Sequence, residues 1–223
     1  MDQSVAILEI TDVTHNTRRY RVEKPEGYSF TPGQATELSL DEAGFRDKKH
    51  PFTFTALPDE GGLEFTIKSY FDTDGDGMTE RLYGYKPGQR LILRDPWGTI
   101  TWKGPGVFIA GGAGVTPFIA ILKQARVERR LKGSTLIVSN RTEADIIERG
   151  LFESMGGLET IWTVTQDPDA NLLHERIDAA FLKRHVADLS QQFYLCGPDP
   201  MVKDLRDALK GLGADVENVT WEK

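Results

Sequence analysis

Gly106-Val-Phe-Ile-Ala-Gly-Gly-Ala-Gly-Val-Thr-Pro117 is the stretch whose reading decides the fold. Val107 to Ala110 form a short apolar run, the kind needed by a strand buried on both faces. Gly111, Gly112 and Gly114 follow at once, and the apolar, helix-spaced segment Phe118–Val127 comes next. A strand, a glycine turn and a helix in that order make a phosphate site. Glycines let the backbone approach a pyrophosphate, and the unpaired N–H groups of the first helical turn point at it. Thr116-Pro117 stands where a dinucleotide fingerprint has its third glycine, and proline suits a first helical turn because its missing N–H would be unpaired there. Taken alone, the same residues also describe a tight strand-to-helix turn without a ligand.

Outward from this stretch the chain has two styles. On the C-terminal side, apolar runs at Thr135–Val138, Thr160–Val164, Phe193–Leu195 and Val216–Val219 alternate with helical stretches at Phe118–Arg130, Ile177–Val186 and Pro200–Leu212. Such alternation predicts an α/β half with a doubly wound parallel sheet. On the N-terminal side the chain is a series of short strands. Val5–Ile10 and Tyr20–Val22 flank a turn at His15-Asn16, and Ala35–Leu40 follows the turn Thr31-Pro-Gly-Gln34. His50–Leu57 and Leu63–Tyr70 alternate in the period-2 pattern, and Arg90–Arg94 and Thr99–Trp102 follow the Lys86-Pro-Gly88 turn. Strands at this spacing predict a small antiparallel β-barrel. The boundary is expected near Trp102–Gly106, giving residues 1–102 and 103–223.

Composition narrows the function classes. A hydrophobic content of 39% with 27% charged residues is ordinary for a soluble globular chain, and no apolar run approaches a membrane span. Met1–Ile10 carries no basic region followed by an apolar core, so a cytoplasmic protein without a membrane partner is expected. A net charge of −7 argues against nucleic acid as a partner. The single cysteine, Cys196, excludes an internal disulfide, a four-cysteine zinc site and a cysteine-bound iron–sulfur cluster. His15, His50, His174 and His185 show no metal-ligand spacing, and no Gly-x-Ser-x-Gly elbow supports a hydrolase. Asp72-Thr-Asp-Gly-Asp-Gly77 matches the opening of a calcium loop, but Tyr83 stands where that loop has its glutamate.

Pro32-Gly33-Gln34, Pro51-Phe52-Thr53, Gly77-Met78-Thr79, Gly111–Pro117 and Leu195-Cys-Gly-Pro-Asp-Pro-Met201 occur in an informative order and spacing. On these motifs the chain resembles the ferredoxin–NADP reductase superfamily, specifically its bacterial flavodoxin/ferredoxin-reductase-like members. The resemblance implies a flavin-binding barrel followed by a nicotinamide-binding half. It implies FAD, less so FMN, as cofactor, NADPH or NADH as donor, and a separate acceptor such as ferredoxin or flavodoxin. The flavin strand would be His50-Pro51-Phe52-Thr53, with His50 where the family has arginine and Phe52 where it has tyrosine. Thr53 would face the flavin's reactive nitrogen, and Ile67 and Lys68 would line the same site.

Gly77, Met78 and Thr79 correspond to the family's second phosphate contact. Thr79 is expected to cap the short helix Glu80–Tyr83, and Asp72, Asp74 and Asp76 to face solvent. Gly112, Gly114, Thr116 and Pro117 would cradle the nicotinamide cofactor. Arg141, at a strand end, leans towards NADPH, with Glu143 two residues on. Cys196, Gly197, Pro198 and Met201 would shape the hydride-transfer pocket, with Cys196 as a contact residue. Trp221 and Glu222 would approach the flavin or form a frayed terminus. Arg18, Arg19, Arg21 and Lys48–Lys49 are candidates for a basic acceptor face. Two alternatives stand beside this reading: a reductase of free flavin or another small acceptor, and a non-catalytic relay or regulatory subunit.

Overall fold

Strands with one face on a core and one towards water need alternating side chains, and the first half of the chain supplies them. The computed structural model describes residues 2–71, 75–98 and 100–221. Its first six strands are β1 (Gln3–Thr14), β2 (Thr17–Val22), β3 (Ala35–Leu40), β4 (His50–Thr53), β5 (Leu63–Lys68) and β6 (Arg90–Leu93). They form one antiparallel sheet in the order β4-β3-β6-β1-β2-β5. A bridge between Phe54 and Phe65 joins the two ends of this sheet, so it closes as a barrel. Two register shifts in β1 supply the bend that closure requires. Tyr20, Leu38, Leu40, Phe54, Phe65 and Leu91 fill the interior, and the short helix α1 (Met78–Tyr83) adds Met78 and Leu82.

The second sheet is parallel, with strands β7 (Gly106–Gly111), β8 (Ser134–Asn140), β9 (Leu158–Val164), β10 (Gln192–Cys196) and β11 (Val219–Trp221) in the order β11-β10-β7-β8-β9. All six residues of β7 are buried, as its central place demands. Helices α2 (Thr116–Val127) and α3 (Arg149–Glu153) pack on one face through Phe118, Ile121, Leu122 and Phe152. Helices α4 (Ala179–His185) and α5 (Asp199–Gly211) cover the other through Phe181, Leu182, Leu205 and Leu209. An antiparallel barrel is thus followed by a doubly wound α/β half. No helix among the described residues is long and apolar enough to cross a membrane.

Two expected strands differ. Ile100–Trp102 is not a strand, and Thr99 lies outside the described residues. Backbone pairing in this region goes instead to Trp97, which bridges Ala35 with reciprocal hydrogen bonds of 2.7 and 2.8 Å. Val216–Asn218 is a 3₁₀ turn, because the Asp215 carboxylate accepts the Glu217 amide at 3.0 Å, and strand pairing starts at Val219.

Between the sheets the backbone is held by one phenol. Tyr194 on β10 donates to the Gly104 carbonyl at 2.9 Å and accepts the Lys103 amide at 2.8 Å. Its ring stacks on Phe108 at 4.2 Å, and Trp102 also stacks on Phe108, at 5.9 Å. Burial holds the Tyr194 phenol above the usual tyrosine range, against the opposing hydrogen bonds to Lys103 and Gly104.

The Pro32-Gly33-Gln34 turn requires its glycine. Gly33 has φ +94, and a β-carbon there would lie 2.0 Å from the Ile100 carbonyl oxygen and 2.8 Å from Ile121 of α2. Gly33→Ala is expected to lose about 3 kcal/mol in denaturant unfolding. Gly27→Ala, at φ +75 with open space around it, is expected to lose about 1 kcal/mol. Equal losses at the two positions would show that the Ile100 contact does not constrain the fold.

Candidate functional site

Ligands of open α/β sheets bind beyond the carboxyl ends of the strands, where helices leave to opposite faces. Here β7 and β10 are neighbours, and α2 and α5 leave them to opposite faces of the sheet. Above their ends lies a cavity of about 710 Å³ whose other wall is the barrel. That volume falls within the ~300–1,000 Å³ typical of small-molecule sites.

The floor is backbone. A β-carbon on Gly114 would sit 2.4 Å from the Cys196 carbonyl oxygen, and one on Gly197 would sit 3.0 Å from the Gly111 nitrogen. The 3₁₀ turn Gly112–Val115 carries the chain from β7 into α2 and starts at Gly112 with φ +53. Gly111, Gly114, Thr116, Cys196, Gly197 and Pro198 line this side. Behind the floor, Met201 packs against Gly111, and Pro117 is buried at the start of α2.

On the barrel side, β4 contributes His50, Pro51, Phe52 and Thr53. Phe52 is partly buried against the barrel core, and Thr53, 8% exposed, has a side-chain hydroxyl with no hydrogen bond among the described residues. Ile67 and Lys68 of β5 also line the cavity. Lys68 Nζ lies 3.2 Å from Asp145 Oδ1 in the second half of the chain, and the other Asp145 oxygen accepts the Thr142 amide and hydroxyl at 3.1 and 2.8 Å. Burial raises the Asp145 carboxyl, but the Thr142 hydrogen bonds and the Lys68 ammonium outweigh it and hold the group below the usual carboxylate range.

The structure therefore brings together from sequence positions far apart His50, Pro51, Phe52, Thr53, Ile67, Lys68, Gly77, Thr79, Gly114, Thr116, Cys196, Gly197 and Pro198. Others stand elsewhere. Gly112 makes the turn without lining the cavity, and Arg141 is exposed at the end of β8. Trp221 on β11 lies under Arg206, whose guanidinium carbon is 3.7 Å from the ring centroid. Glu222 and the calcium-loop positions Asp72 and Asp74 lie outside the described residues.

Two expectations about the Gly77-Met-Thr79 segment are corrected. Thr79 does not cap α1; Gly77, with φ 74, holds that position without a side-chain bond. The Thr79 hydroxyl instead accepts the Tyr70 amide at 3.4 Å. Met78 is buried in the barrel core, and its amide is taken by Asp76 Oδ1 at 3.0 Å. Asp76 lines the cavity with its other oxygen 2.8 Å from His50 Nε2. Of the residues expected to form a basic acceptor face, Arg21 and Lys49 are exposed, and three others have partners within the chain. Arg18 pairs with Asp12 at 2.7 Å, Arg19 with Glu148 at 2.5 Å, and Lys48 donates to the Asp76 carbonyl.

Sequence reasoning did not single out Tyr70 and Trp97, exposed aromatics on the cavity wall, although Asp95-Pro-Trp-Gly98 is a turn signal. It also passed over Asn140, whose Nδ2 is buried without a partner at the carboxyl end of β8. The donor set suits a flavin and a nicotinamide dinucleotide together. Phe52 offers a ring to stack on. Thr53 and Lys68 offer hydrogen bonds, and the side-chain-free floor lets a planar ligand approach. The class defined is a two-domain flavin- and nicotinamide-binding protein.

Residues 4–102 match the family model described as the oxidoreductase FAD-binding domain, and residues 108–207 match the oxidoreductase NAD-binding domain. The chain belongs to the ferredoxin–NADP reductase-like superfamily, joining an FAD-binding domain to an NAD-binding domain. It is 28% identical over 218 residues to NADH-cytochrome b5 reductase 2 of Mycosarcoma maydis, covering 87% of this chain and 61% of that protein. It is 27% identical over 214 residues to the reductase component of propane 2-monooxygenase of Rhodococcus jostii, covering 90% of this chain and 57% of that protein. The chain thus spans about three-fifths of these curated relatives. A ferredoxin NADP⁺ reductase of Neisseria gonorrhoeae, solved with bound FAD and NADP, superposes with a TM-score of 0.86 at 21% identity, over 99% of this chain and 98% of that one.

The Lys68–Asp145 pair ties the barrel to the second sheet, and its pH dependence has a definite sign. A carboxyl held below its unfolded value stabilises the fold above about pH 4 and loses that contribution as the pH falls further. Asp145→Asn is expected to unfold about 1–2 kcal/mol more easily than the parent at neutral pH. The difference should shrink as the pH drops below 4. An undiminished difference in urea unfolding at acid pH would show that the carboxylate's charge is not its contribution.

Proposed function

We propose that the protein is an NAD(P)H-dependent flavoprotein reductase that passes electrons from NAD(P)H through bound FAD to a separate protein carrier of the ferredoxin or flavodoxin kind. The observation that carries this reading is the shared cavity, in which Phe52-Thr53 of the barrel faces the Gly114, Cys196 and Gly197 backbone of the second sheet. We assign residues 1–102 to the flavin half and 103–223 to the nicotinamide half. Bound FAD supplies the hydride-accepting and single-electron chemistry.

The residues divide the work. Phe52 packs on the flavin ring, and the Thr53 hydroxyl hydrogen-bonds at its edge. Lys68, held by Asp145, presents a fixed positive charge on the cavity wall. The Gly111–Thr116 turn receives the dinucleotide's pyrophosphate close to the backbone, and Cys196-Gly197-Pro198 walls the nicotinamide and excludes water. The single cysteine cannot by itself ligate an iron–sulfur cluster, which favours an acceptor outside these 223 residues. The names of its relatives, reductases of a cytochrome and of a monooxygenase, support the same direction.

Arg141 and Glu143 bear on the choice of donor. Glu143 is paired with Arg149 at 2.5 Å, whereas the Arg141 side chain is exposed and makes no ion pair among the described residues. A guanidinium without a competing acid favours the 2′-phosphate of NADPH. The test is anaerobic reduction of the FAD-loaded protein, followed at the flavin absorption band. NADPH is expected to bleach the band faster than NADH. Arg141→Ala should lower kcat/KM for NADPH about tenfold and leave that for NADH unchanged. A protein that binds FAD yet is bleached by neither donor would overturn the proposed function, and faster bleaching by NADH would overturn the donor preference alone.

A further inference from the structure

Glu148 holds a backbone conformation that glycine would adopt without steric cost. Its φ is 55 and its ψ 30, and among the described residues with a side chain only Arg129 shares a positive φ. A conformation of this kind persists where the surroundings require the side chain, so it points to what that side chain does. The Glu148 carboxylate crosses from one half of the chain to the other. It is 11% exposed and lies 2.5 Å from the guanidinium of Arg19 on β2.

Glu148 ends a strap, residues 142–148, that follows the carboxyl end of β8. Thr142 and Asp145 bond to each other at the start of the strap, and Ile146 and Ile147 are buried in the core of the second half. The two remaining carboxylates of interest face the barrel, where Asp145 takes Lys68 and Glu148 takes Arg19. Arg19 stands opposite Thr66 in the pairing of β2 with β5, and Lys68 is two residues beyond Thr66. Directly paired residues, and residues two apart in a strand, share a face of the sheet. Thr66 and Lys68 both line the cavity.

The barrel therefore grips the strap at two points on one face, directly beside the site. A single ion pair would leave a pivot there, whereas two fix an angle. Lys123 also ties the halves, through Glu60 and the Thr55 carbonyl, but it acts from α2 and not from the strap. Arg19 and Glu148 do not line the cavity themselves.

We propose that Arg19 and Glu148 are positioning residues for hydride transfer: their pairing fixes the angle between the two halves, and with it the approach of the nicotinamide wall to the flavin wall. The proposal rests on the reading of the cavity as the place where the two cofactors meet, and it names residues outside that cavity which set their approach. A misplacement of about 1 Å between reacting groups costs on the order of 100-fold in rate, so even a small rotation of the halves is legible in the kinetics.

Four variants of the full chain separate positioning from stability. Glu148→Ala and Glu148→Gly both remove the carboxylate, but only glycine relieves the backbone. Arg19→Met removes the charge, and Arg19→Lys keeps it. In urea, Glu148→Gly is expected to unfold at a higher midpoint than Glu148→Ala. The limiting rate of anaerobic flavin reduction, measured on FAD-loaded protein with the faster nicotinamide donor at saturation, is expected to fall about tenfold in both, and as far in Arg19→Met. Arg19→Lys should recover most of the rate, and the FAD dissociation constant should stay unchanged throughout. With no cofactor present, amide hydrogen exchange across residues 142–148 is expected to quicken about tenfold in the three variants that lose the pair, and to stay near the parent value in Arg19→Lys. A reduction rate that follows stability, recovered in Glu148→Gly and lost in Glu148→Ala, would overturn this inference and leave the proposed function standing. So would rates equal to the parent's in all four variants. A parent protein that binds FAD but is reduced by neither donor would overturn the two together.

Discussion

The approach of the Cys196 carbonyl to Gly114, close enough that a β-carbon would lie 2.4 Å away, is the constraint on which the rest of the molecule depends. It locks the turn after β7 onto the end of β10 and so fixes where α2 begins. Helix α2 in turn grips the barrel. Ile121 packs over Gly33, and Lys123 donates to the Thr55 carbonyl at 2.9 Å while pairing with Glu60 at 3.2 Å. One glycine contact therefore sets the cleft floor and, through one helix, the position of the opposite wall. Interiors packed at crystal density transmit such displacements instead of absorbing them.

The ionic contacts between the two halves run in opposite senses. On one side the barrel supplies the cations, Arg19 to Glu148 and Lys68 to Asp145. With Lys123 and Glu60 the polarity is reversed, the cation coming from the second half. A sliding or rotated arrangement of the two halves would bring like charges together at one contact or the other. The pairs thus select orientation more than they add affinity. Glu148 adopts φ 55, a conformation uncommon for a residue with a side chain, and its carboxylate is held by Arg19.

The fold was legible where burial patterns are local. Val107–Ala110 and the alternating Phe52–Thr55 strand carry their own period, and the two sheets follow from them. Thr99–Trp102 and Val216–Val219 misled because an apolar run becomes a strand only if a neighbour offers hydrogen bonds. Trp97 took the pairing in one case, and the Asp215 side chain took it in the other. Helix α3 escaped notice because it is one turn long and starts after Glu148 in a left-handed conformation. In the site, the glycine floor and the flavin strand could be read from their motifs. The bonds that orient Lys68 and His50 could not. Their partners lie 77 and 26 residues away, and nothing in composition or spacing joins such positions. Asp76 is exposed, as expected, but its place on the cavity wall beside His50 was hidden for the same reason.

The Tyr194 phenol, bonded to both Lys103 and Gly104, gives the segment between the sheets an owner. The segment straddles the boundary between the halves, yet it is folded as part of the second half's core, with Trp102 and Tyr194 both stacked on Phe108. A recombination that grafts a foreign nucleotide half onto this barrel must therefore cut upstream of Trp102. A crossover at Pro105 would leave the phenol's acceptor and donor on one parent and the phenol on the other, producing hybrids that keep both cores and lose their alignment.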